Sequence, residues 1–569
     1  MYKKNLVLTL TCIMLLAACS QQPSGSQYSQ SIASLSSTNQ SSSSQSSQSS
    51  STSLVSTAQT SVPVEEGVPN FNPTGFPIVN EPITLELFVM KLPIHGPFED
   101  MEFWRYMTDL TKVSYTFITA PQDSYTEKKN LLFASNDLPD AFMGGDMTAV
   151  EQAKYGAEGL LIPLEDIIDA YGHNLLASFD EYPELRRNIT LNDGHIYALP
   201  MFNTAPRAVQ DAHVYVNYHW LDALGISKED LPSVIEDFHD LLVRFRDEDP
   251  NQNGQADEIP MTFVANATNN AQMRWFFMTA YGVLHDDNGF YAQPDGKVVF
   301  QFNSDMFRTY LETARLWYAE KLIDQDVFTQ TPQQRIANSK DNLVGVCIDV
   351  LSGLSFDTTG EDSTNYPVLP TLTSKYNNIP IRRLKNTVQL GKFEITDRNQ
   401  YPEATLRYAD YFFCKEGFMI QFQGVPNENW EYIDAEQIKW RSLVPEGENM
   451  EEYRFKHTPN LGPGMQFPEI IRGKTNIEEV YADNNGFDTL NQLQFVFPIV
   501  YFTDDEQERV DIIQSDINLY VIENEAKFIA GQMPLNDETW NTYVNMLNTI
   551  GIDELLGYYQ AAYDRWLSN

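Results

Sequence analysis

The chain has 569 residues, and its 78 acidic against 38 basic residues leave a net charge of −40. Such a charge argues against a nucleic-acid or anionic-lipid partner. Four cysteines are too few for a disulfide framework. About 500 residues follow the low-complexity N-terminal region, which is too many for one hydrophobic core and enough for two large lobes. Beyond the N-terminus no apolar run is long enough to span a bilayer, so we expect a soluble body.

The first eighteen residues have the pattern of an export signal. Two lysines at positions 3 and 4 precede an apolar stretch from Leu6 to Leu16, which is too short to span a membrane comfortably. The following Ala-Ala-Cys19 resembles the lipobox of bacterial lipoproteins. The resemblance implies that Cys19 becomes the lipidated first residue of the mature chain, and two or more acyl chains would hold the protein firmly on a membrane. The alternative is a plain secretory signal with an incidental cysteine.

Residues 19–72 are predicted to be the lipidated cysteine and a disordered tether. From Ser20 to about Thr60 almost every residue is Ser, Gln, Thr, Ala or Gly, a composition that buries too little apolar surface to fold. A tether of this kind lets a folded domain stand off from a membrane or reach through a cell wall. The expected location is therefore the extracytoplasmic face of the cell membrane, and the tether favours a Gram-positive cell surface.

Alternating strand and helix patterns begin the body of the chain. Strands are predicted at Ile83–Val89, at Val113–Ile118 and in a segment ending at Met143, with a helix through Phe103 to Leu110 and another at Tyr125–Ser135. A β-α-β-α-β series implies a mainly parallel sheet with helices on both faces. Ligands bind beyond the carboxyl ends of such strands, which directs attention to the loops at residues 90–97 and 144–146.

Further elements follow in the middle of the chain. A tight turn at residues 192–194 precedes a short apolar strand that Pro200 should end, and this segment has the character of a crossing between lobes. Later elements are a strand at 214–217, a helix at 220–225 ended by glycine, a helix that Ser233 and Glu236 begin with a capping box, a strand at 344–350 and a helix from Pro402 to Gly417.

The most specific motif in the sequence lies at residues 249–258. Oxygen-bearing side chains fall at positions 1, 3, 5 and 9 with glycine at position 6, as in the first part of an EF-hand calcium loop. The glutamate expected at position 12 is replaced by Pro260. The predicted Ca²⁺ ligands are Asp249, Asn251, Asn253, Asp257 and Glu258 by side chain and Gln255 by its backbone carbonyl. The alternative is a solvated turn rich in Asn and Asp that needs no metal.

Several segments together resemble the family 1 extracellular solute-binding proteins, in particular the large lipoprotein subgroup with LipO-like and alginate-oligosaccharide-binding receptors. The resemblance spans most of the body, and the calcium loop is its most specific part. The segments that carry it are Asp193–Pro200, Tyr215–Gly225, Asp249–Pro260, Tyr401–Ala404 and Tyr559–Trp566.

The resemblance implies an α/β protein with the two-lobed, type II periplasmic-binding-protein-like fold and a hinged central cleft. It also implies a structural calcium ion in one lobe and the delivery of a carbohydrate, such as an oligosaccharide, to the membrane permease of an ABC importer. Lobe 1 is expected at residues 73–205 and about 388–500, and lobe 2 at 206–387 and about 501–569. The protein is expected to act as a monomer.

Candidate ligand contacts come from the chemistry of sugar recognition, which combines aromatic platforms with polar side chains. Trp275 and Trp430 are the predicted platforms, and ordinary core packing is the alternative for both. Further candidate contacts are His95, Asp146, Phe202 and Asn203, because they lie just after predicted strands or in the crossing segment. Trp220, Trp317 and Trp566 are predicted core residues. Arg274 or Arg382 would suit a uronate if either lined the pocket.

Other functions remain open at the level of sequence. A surface glycoside hydrolase or lyase would also have an aromatic cleft with two carboxylates, but no catalytic motif of another class stands out and a non-enzymatic receptor is favoured. A sugar-sensing partner of a membrane kinase would use the same fold. Cys347 and Cys414 either pair or are buried thiols, and we favour buried thiols.

Overall fold

The elements described below belong to a computed structural model, which describes residues 68–568 except 146, 264–270, 357, 359–360, 386–387, 446–447 and 449. Residues 70–569 group as one compact unit. The strands are β1 (Ile83–Lys91), β2 (Val113–Pro121), β3 (Ala141–Met143), β4 (Ala198–Asn203), β5 (His213–Val216), β6 (Ile259–Met261), β7 (Phe290–Ala292), β8 (Val298–Phe300), β9 (Val344–Asp349), β10 (Arg382–Leu384), β11 (Val388–Ile395), β12 (Trp430–Tyr432), β13 (Trp440–Ser442), β14 (Gly464–Gln466) and β15 (Leu493–Phe495).

Helices surround these strands. They are α1 (Glu102–Thr111), α2 (Tyr125–Ser135), α3 (Ala149–Ala157), α4 (Glu165–Tyr171), α5 (His173–Glu181), α6 (Pro183–Ile189), α7 (Pro206–Val209), α8 (Tyr218–Ala223), α9 (Ile235–Asp247), α10 (Ala271–Ala280), α11 (Asp305–Ala319), α12 (Pro332–Lys340), α13 (Ser352–Phe356), α14 (Pro402–Asp410), α15 (Lys415–Gln423), α16 (Met450–His457), α17 (Pro468–Arg472), α18 (Ile477–Asp488), α19 (Asp504–Ile529), α20 (Asp537–Ile550) and α21 (Ile552–Ser568).

The first sheet has the strand order β14-β4-β11-β3-β1-β2 within the described residues. β1 pairs in parallel with both β2 and β3, so the predicted parallel series is confirmed. On α1 the side chains of Phe103, Trp104 and Met107 share one buried face, which packs this helix into the core beside the sheet. We call this sheet and the apolar core around it lobe 1.

The second sheet has the order β5-β9-β6. Its core joins two separate parts of the chain, from Val214 to Ile381 and from Val496 to Tyr563. We call this sheet and its core lobe 2. Val496 and Phe497 belong to that core, before the boundary predicted at residue 500.

The chain passes between the lobes in the segments after β4, after β10 and after β14. β1, β3, β4 and β14 all end at one edge of the first sheet, and antiparallel β11 begins there. In the second sheet His213 opposite Asp349 puts the start of β5 beside the end of β9. Because the passage after β4 leads from the first of these edges to the second, we expect the carboxyl edges of the two sheets to face each other, where ligand sites of α/β proteins lie.

Three local predictions are wrong. β4 runs through Pro200 to Asn203 instead of ending at the proline, because the strand lies within the sheet and its register with β14 and β11 continues. The helix at 235 has no side-chain cap, so the capping box at Ser233 is absent. The helix expected from Pro402 to Gly417 is interrupted after Asp410, and Cys414 caps the next helix by accepting from the Gly417 amide.

The two cysteines of the body are both free thiols. Cys347 lies buried on β9 in lobe 2, and Cys414 lies half-buried in lobe 1. Burial raises the pKa of the Cys347 thiol to about 11, so this thiol stays protonated and inert at neutral pH. The preference for buried thiols therefore holds for Cys347, whereas Cys414 is unpaired but only partly buried.

Candidate functional site

A pocket of about 480 Å³ lies at the carboxyl edge of the lobe 1 sheet. It is lined by Met147 and Thr148 before α3, by the start of β11, and by Ile499. Gln389 is exposed there, and Lys392 lines the wall with most of its surface buried. The pocket therefore combines an amide, a hydroxyl and a cation with apolar side chains, which is the mixture that small-ligand sites use.

A bulge in β11 shapes this pocket. The register with β4 shifts between Gln389 and Phe393, and such bulges re-aim side chains locally. Gly391 has φ +63°, and a Cβ there would lie 2.1 Å from the carbonyl oxygen of Met147. Only glycine allows this approach, in which the Met147 amide donates to the Gly391 carbonyl at 3.1 Å. The loop after β3 is thereby held against β11.

The facing edge of lobe 2 is also polar. At the end of β6 the hydroxyl of Thr262 donates to Asp324 at 2.8 Å and accepts from Gln330 at 2.8 Å. The Oε1 atom of Gln330 is buried and has no hydrogen-bond partner among the described residues. At the end of β9 Arg335 pairs with Asp349 at 3.0 Å. These side chains form a buried polar network at the ends of β6 and β9.

A buried ion pair joins the passage after β4 to β10, the strand from which a second passage leaves. Asp211, in the passage after β4, accepts two hydrogen bonds from Arg383 of β10, at 2.6 and 2.7 Å. The same guanidinium donates to Asp287 and to the carbonyl of His285, both at 3.0 Å. Burial works against the charge of Arg383, but the two carboxylates outweigh it and its pKa is raised. We call Asp211, Asp287 and Arg383 the hinge clamp.

The loop between α9 and β6 is held by hydrogen bonds among its own side chains and backbone amides. The Asp249 carboxylate accepts from the amides of Asn253 and Gly254, and the Asn253 amide group donates to Asp257 at 3.0 Å. Gly254 has φ +74°, the left-handed conformation that glycine adopts without strain. Pro260 at position 12 lies inside β6, so the last ligand has to come from earlier in the loop.

Glu258 has the surroundings of a cation ligand. Its Oε1 atom is buried and has no hydrogen-bond partner among the described residues. Burial and the nearby Asp257 and Asp249 charges raise the pKa of Glu258, and a bound cation would remove that penalty. Among the described residues, no three His, Cys, Asp or Glu side chains form a metal cluster. The loop fits Ca²⁺ only as a mixed set of carboxylate, amide and carbonyl oxygens, which is the kind of set that Ca²⁺ accepts.

The predicted aromatic platforms are core residues in this structure. Trp275 is 8% exposed and packs in the lobe 2 core, although it also lines a small cavity near Arg382. Trp430 is 3% exposed, and its indole nitrogen donates to the Gly424 carbonyl at 2.8 Å. The alternative of core packing therefore holds for both, and neither offers an exposed ring face. The predicted core tryptophans Trp220 and Trp317 are buried, and Trp566 is partly buried.

The loop candidates of lobe 1 are mostly structural. His95 accepts from the Leu92 amide, its other ring nitrogen lies 2.9 Å from the Pro459 carbonyl, and burial lowers its pKa to about 4. Phe202 is buried in the core of lobe 1, and Asn203 accepts from the Ala205 amide as the chain leaves β4. Asp146 and Cys19 lie outside the described residues.

Two curated proteins resemble this chain in sequence. The fructooligosaccharide ABC transporter substrate-binding protein FusA of Streptococcus pneumoniae is 27% identical over 477 residues, which covers 79% of this chain and 84% of FusA. Lipoprotein LipO of Bacillus subtilis is 22% identical over 369 residues, or 62% of this chain and 68% of LipO. No family model matches the chain.

Solved structures share the fold along nearly the whole body. FusA in complex with kestose matches with a TM-score of 0.69 and 24% identity, over 86% of this chain and 100% of FusA. The chain is thus similar along most of its length to substrate-binding proteins of ABC transporters. An HMO-binding, ABC-transporter-associated solute-binding protein of Bifidobacterium longum infantis matches the chain with a TM-score of 0.70 and 20% identity, over 86% of this chain and 99% of that protein. The two-lobed type II fold is thus confirmed.

Sequence reasoning missed the polar groups at the carboxyl edges of the two sheets. Gln330, Gln389 and Thr148 have no distinctive motif, and only the sheet register brings their segments to the edges. The one usable signal was the Arg382-Arg383 pair, because adjacent arginines in a strand of an acidic chain need counter-charges. Among the residues that the structure describes, no helix has the length and apolar character to cross a membrane.

Proposed function

We propose that this solute-binding protein captures an oligosaccharide between its two lobes and presents it to the permease of an ABC importer. The observation that carries the proposal is the 27% identity to FusA along 84% of that protein, together with the shared two-lobed fold. The facing polar edges supply hydrogen-bond donors and acceptors of the kind that sugar hydroxyls require. The role is binding rather than catalysis, as the names of these relatives describe for them.

The proposed mechanism is closure about the hinge. A ligand that contacts both sheet edges binds the closed arrangement better than the open one and so shifts the population toward it. The closed form then presents a surface to the permease that the open form lacks. We place the anchor at Cys19, so that the tether of residues 19–72 keeps the receptor near the membrane. A lipoprotein among the relatives supports this placement.

The function is tested by calorimetric titration of residues 20–569, which lack only the signal and the anchor, with kestose and a panel of other neutral and acidic oligosaccharides. We expect at least one tight ligand with the sugar recovered intact. Small-angle scattering should show compaction in the presence of that ligand. Cleavage of a panel member would instead make the protein a hydrolase or lyase. A ligand that binds tightly without compaction would contradict closure.

We also propose that the loop at residues 249–258 holds a structural Ca²⁺ ion. Two structural relatives have names that point to calcium, a FusA EF-hand mutant and the alginate-binding protein AlgQ2 without its calcium ion. In this chain the side chains of Asp249, Asn251, Asn253, Asp257 and Glu258 and the carbonyl of Gln255 would be the ligands. The ion would compensate the clustered carboxylates and fix the path of the chain into β6.

Calcium should therefore raise the melting temperature, and Asp249→Ala should abolish the rise. An ion that binds only the folded state stabilises it by about 2.7 kcal/mol at a concentration one hundred times the Kd. Differential scanning calorimetry with Ca²⁺ and with a chelator measures the effect. Asp247→Ala, which alters an exposed aspartate just before the loop, is the matched control and should keep the response. An identical wild-type melt under both conditions would refute the metal site.

A further inference from the structure

A small cavity in lobe 2 contains a buried arginine that no carboxylate contacts among the described residues. The cavity has a volume of about 30 Å³ and lies where the passage after β4 meets β10 and α10. Arg382 lines it and is 8% exposed. Its Nη2 atom donates to the backbone carbonyls of Asp211 at 2.7 Å and Ala212 at 3.3 Å. Its Nε atom is buried and has no hydrogen-bond partner in the described part of the chain.

The nearby carboxylates are already engaged elsewhere. Both oxygens of Asp211 accept from Arg383, and Asp287 accepts from Arg383 as well. Burial lowers the pKa of Arg382, and the charge of Asp211 only partly opposes this. Buried charges in proteins are normally paired or bound to a ligand. The desolvation of an uncompensated charge lowers the stability of the fold by roughly several kcal/mol. Arg382 therefore lacks the contact that its neighbour Arg383 has.

The other walls of the cavity fit a carboxylate attached to a ring. The hydroxyl oxygen of Thr371 is buried and also has no hydrogen-bond partner among the described residues. Trp275 and Phe276 supply aromatic surface. A space of this size holds a group of about two or three heavy atoms but not a whole sugar ring. A ligand would thus insert one carboxylate-sized group, and the rest of the ligand would stay outside the cavity.

We propose that this cavity binds one carboxylate-sized anion through the guanidinium of Arg382 and the hydroxyl of Thr371. An acidic sugar bound in the cleft is one source of that carboxylate, and this source rests on the proposed receptor function. A free carboxylate ion is the other source of the same chemistry. The anion site as such does not depend on which source fills it.

The test uses three probes on residues 20–569 at constant sodium concentration, with sodium chloride as the reference. The probes are sodium glucuronate, sodium acetate and glucose, and the readout is the melting temperature across a titration. We expect glucuronate to raise the melting temperature and glucose to leave it unchanged. A glucuronate response at concentrations at least tenfold below those of acetate indicates an acidic-sugar subsite. Equal responses indicate a free-anion site.

Two variants decide whether the response belongs to this cavity. Arg382→Gln should weaken anion binding at least tenfold, because it removes a charge-assisted contact. Thr371→Val keeps the shape and should weaken binding about threefold to tenfold, and it serves as the test if Arg382→Gln does not fold. Arg244→Gln, an exposed arginine of the same lobe, should respond as the wild type does.

The proposal is overturned if no anion shifts the melting temperature, or if Arg382→Gln and Thr371→Val respond as the wild type does. These failures differ from failure of the receptor function. Oligosaccharide binding without an anion response would refute only the anion site. An anion response that Arg382→Gln abolishes, in a protein that binds no oligosaccharide of the panel, would refute only the receptor function.

Discussion

Glu525→Gln should lower the free energy of unfolding by about 3–5 kcal/mol, because it leaves a buried arginine without its counter-charge. Glu525 on α19 is fully buried, and Arg274 on α10 is 3% exposed. The guanidinium donates to both carboxylate oxygens, with the shortest bond at 2.8 Å. Burial opposes the charge of Arg274, but the attraction of Glu525 outweighs it and the pKa of Arg274 is raised.

The hydroxyl of Tyr310 completes this buried group by donating to Glu525 at 2.5 Å. Three helices, α10, α11 and α19, meet at the one carboxylate. Tyr310→Phe removes a single hydrogen bond and should cost about 1–2 kcal/mol, clearly less than Glu525→Gln. Urea unfolding followed by circular dichroism measures both changes. Equal effects of the two variants would contradict the charge argument.

The matched control lies on the same helix. Glu523 forms an exposed ion pair with Lys527 at 2.6 Å, and exposed pairs contribute about 0.2–1 kcal/mol. Glu523→Gln should therefore change the stability by less than about 1 kcal/mol. A large effect at Glu523 would mean that the helix, not the buried charge, is responsible.

Arg383→Met should also destabilise the protein by about 3–5 kcal/mol, because it leaves the buried Asp211 carboxylate unpaired. The side chains of both partners are less than a tenth exposed, and they connect the passage after β4 to β10. Under the proposed closure about the hinge, the change should alter ligand affinity as well, since the relative energies of the open and closed arrangements would depend on these passages. Urea unfolding and calorimetric titration of the same variant measure the two effects.

A double variant separates the destabilisation caused by an unpaired Asp211 charge from the stabilisation that the intact hinge clamp provides. Replacing Asp211 by Leu in the Arg383→Met background removes both charges, and at least half of the lost stability should return. The control is Arg186→Met, since Arg186 makes an exposed bidentate pair with Asp169 in lobe 1. That variant should cost less than about 1 kcal/mol. Failure of the double variant to recover would mean that Arg383 acts by packing.

Local sequence patterns were enough for the first three strands of the first sheet and the helices between them. The alternation of residues 83–89, the apolar face of α1 and the helix at 125–135 all have periodicities that a single segment reveals. The parallel pairing of β1 with β2 and β3 then follows from the helices between them. The interrupted helix after Pro402 was missed, because the break at Cys414 depends on burial of the residues around it and leaves no glycine or proline as a mark.

The surroundings of the candidate ligand contacts, in contrast, could not be predicted from local sequence. Trp275 and Trp430 have the right chemistry for sugar platforms, but burial depends on which segments pack over them, and periodicity within one helix or loop does not reveal that. His95 likewise follows a strand as predicted, yet its ring nitrogens are used by Leu92 and Pro459. The partner at residue 459 is far away in the sequence, so no local pattern could indicate it.

The sequence by itself determined the α/β class, the acidic composition, the low-complexity N-terminal region and a loop with the oxygen spacing of a calcium site, because each depends on composition or on spacing within a short segment. The tertiary structure alone decided which polar groups meet. The hinge clamp, the Arg274–Glu525 pair and the cavity at Arg382 each join segments more than 100 residues apart. Such charges are placed by the folding of the two lobes around separate cores, and their energies depend on burial that only the folded chain creates.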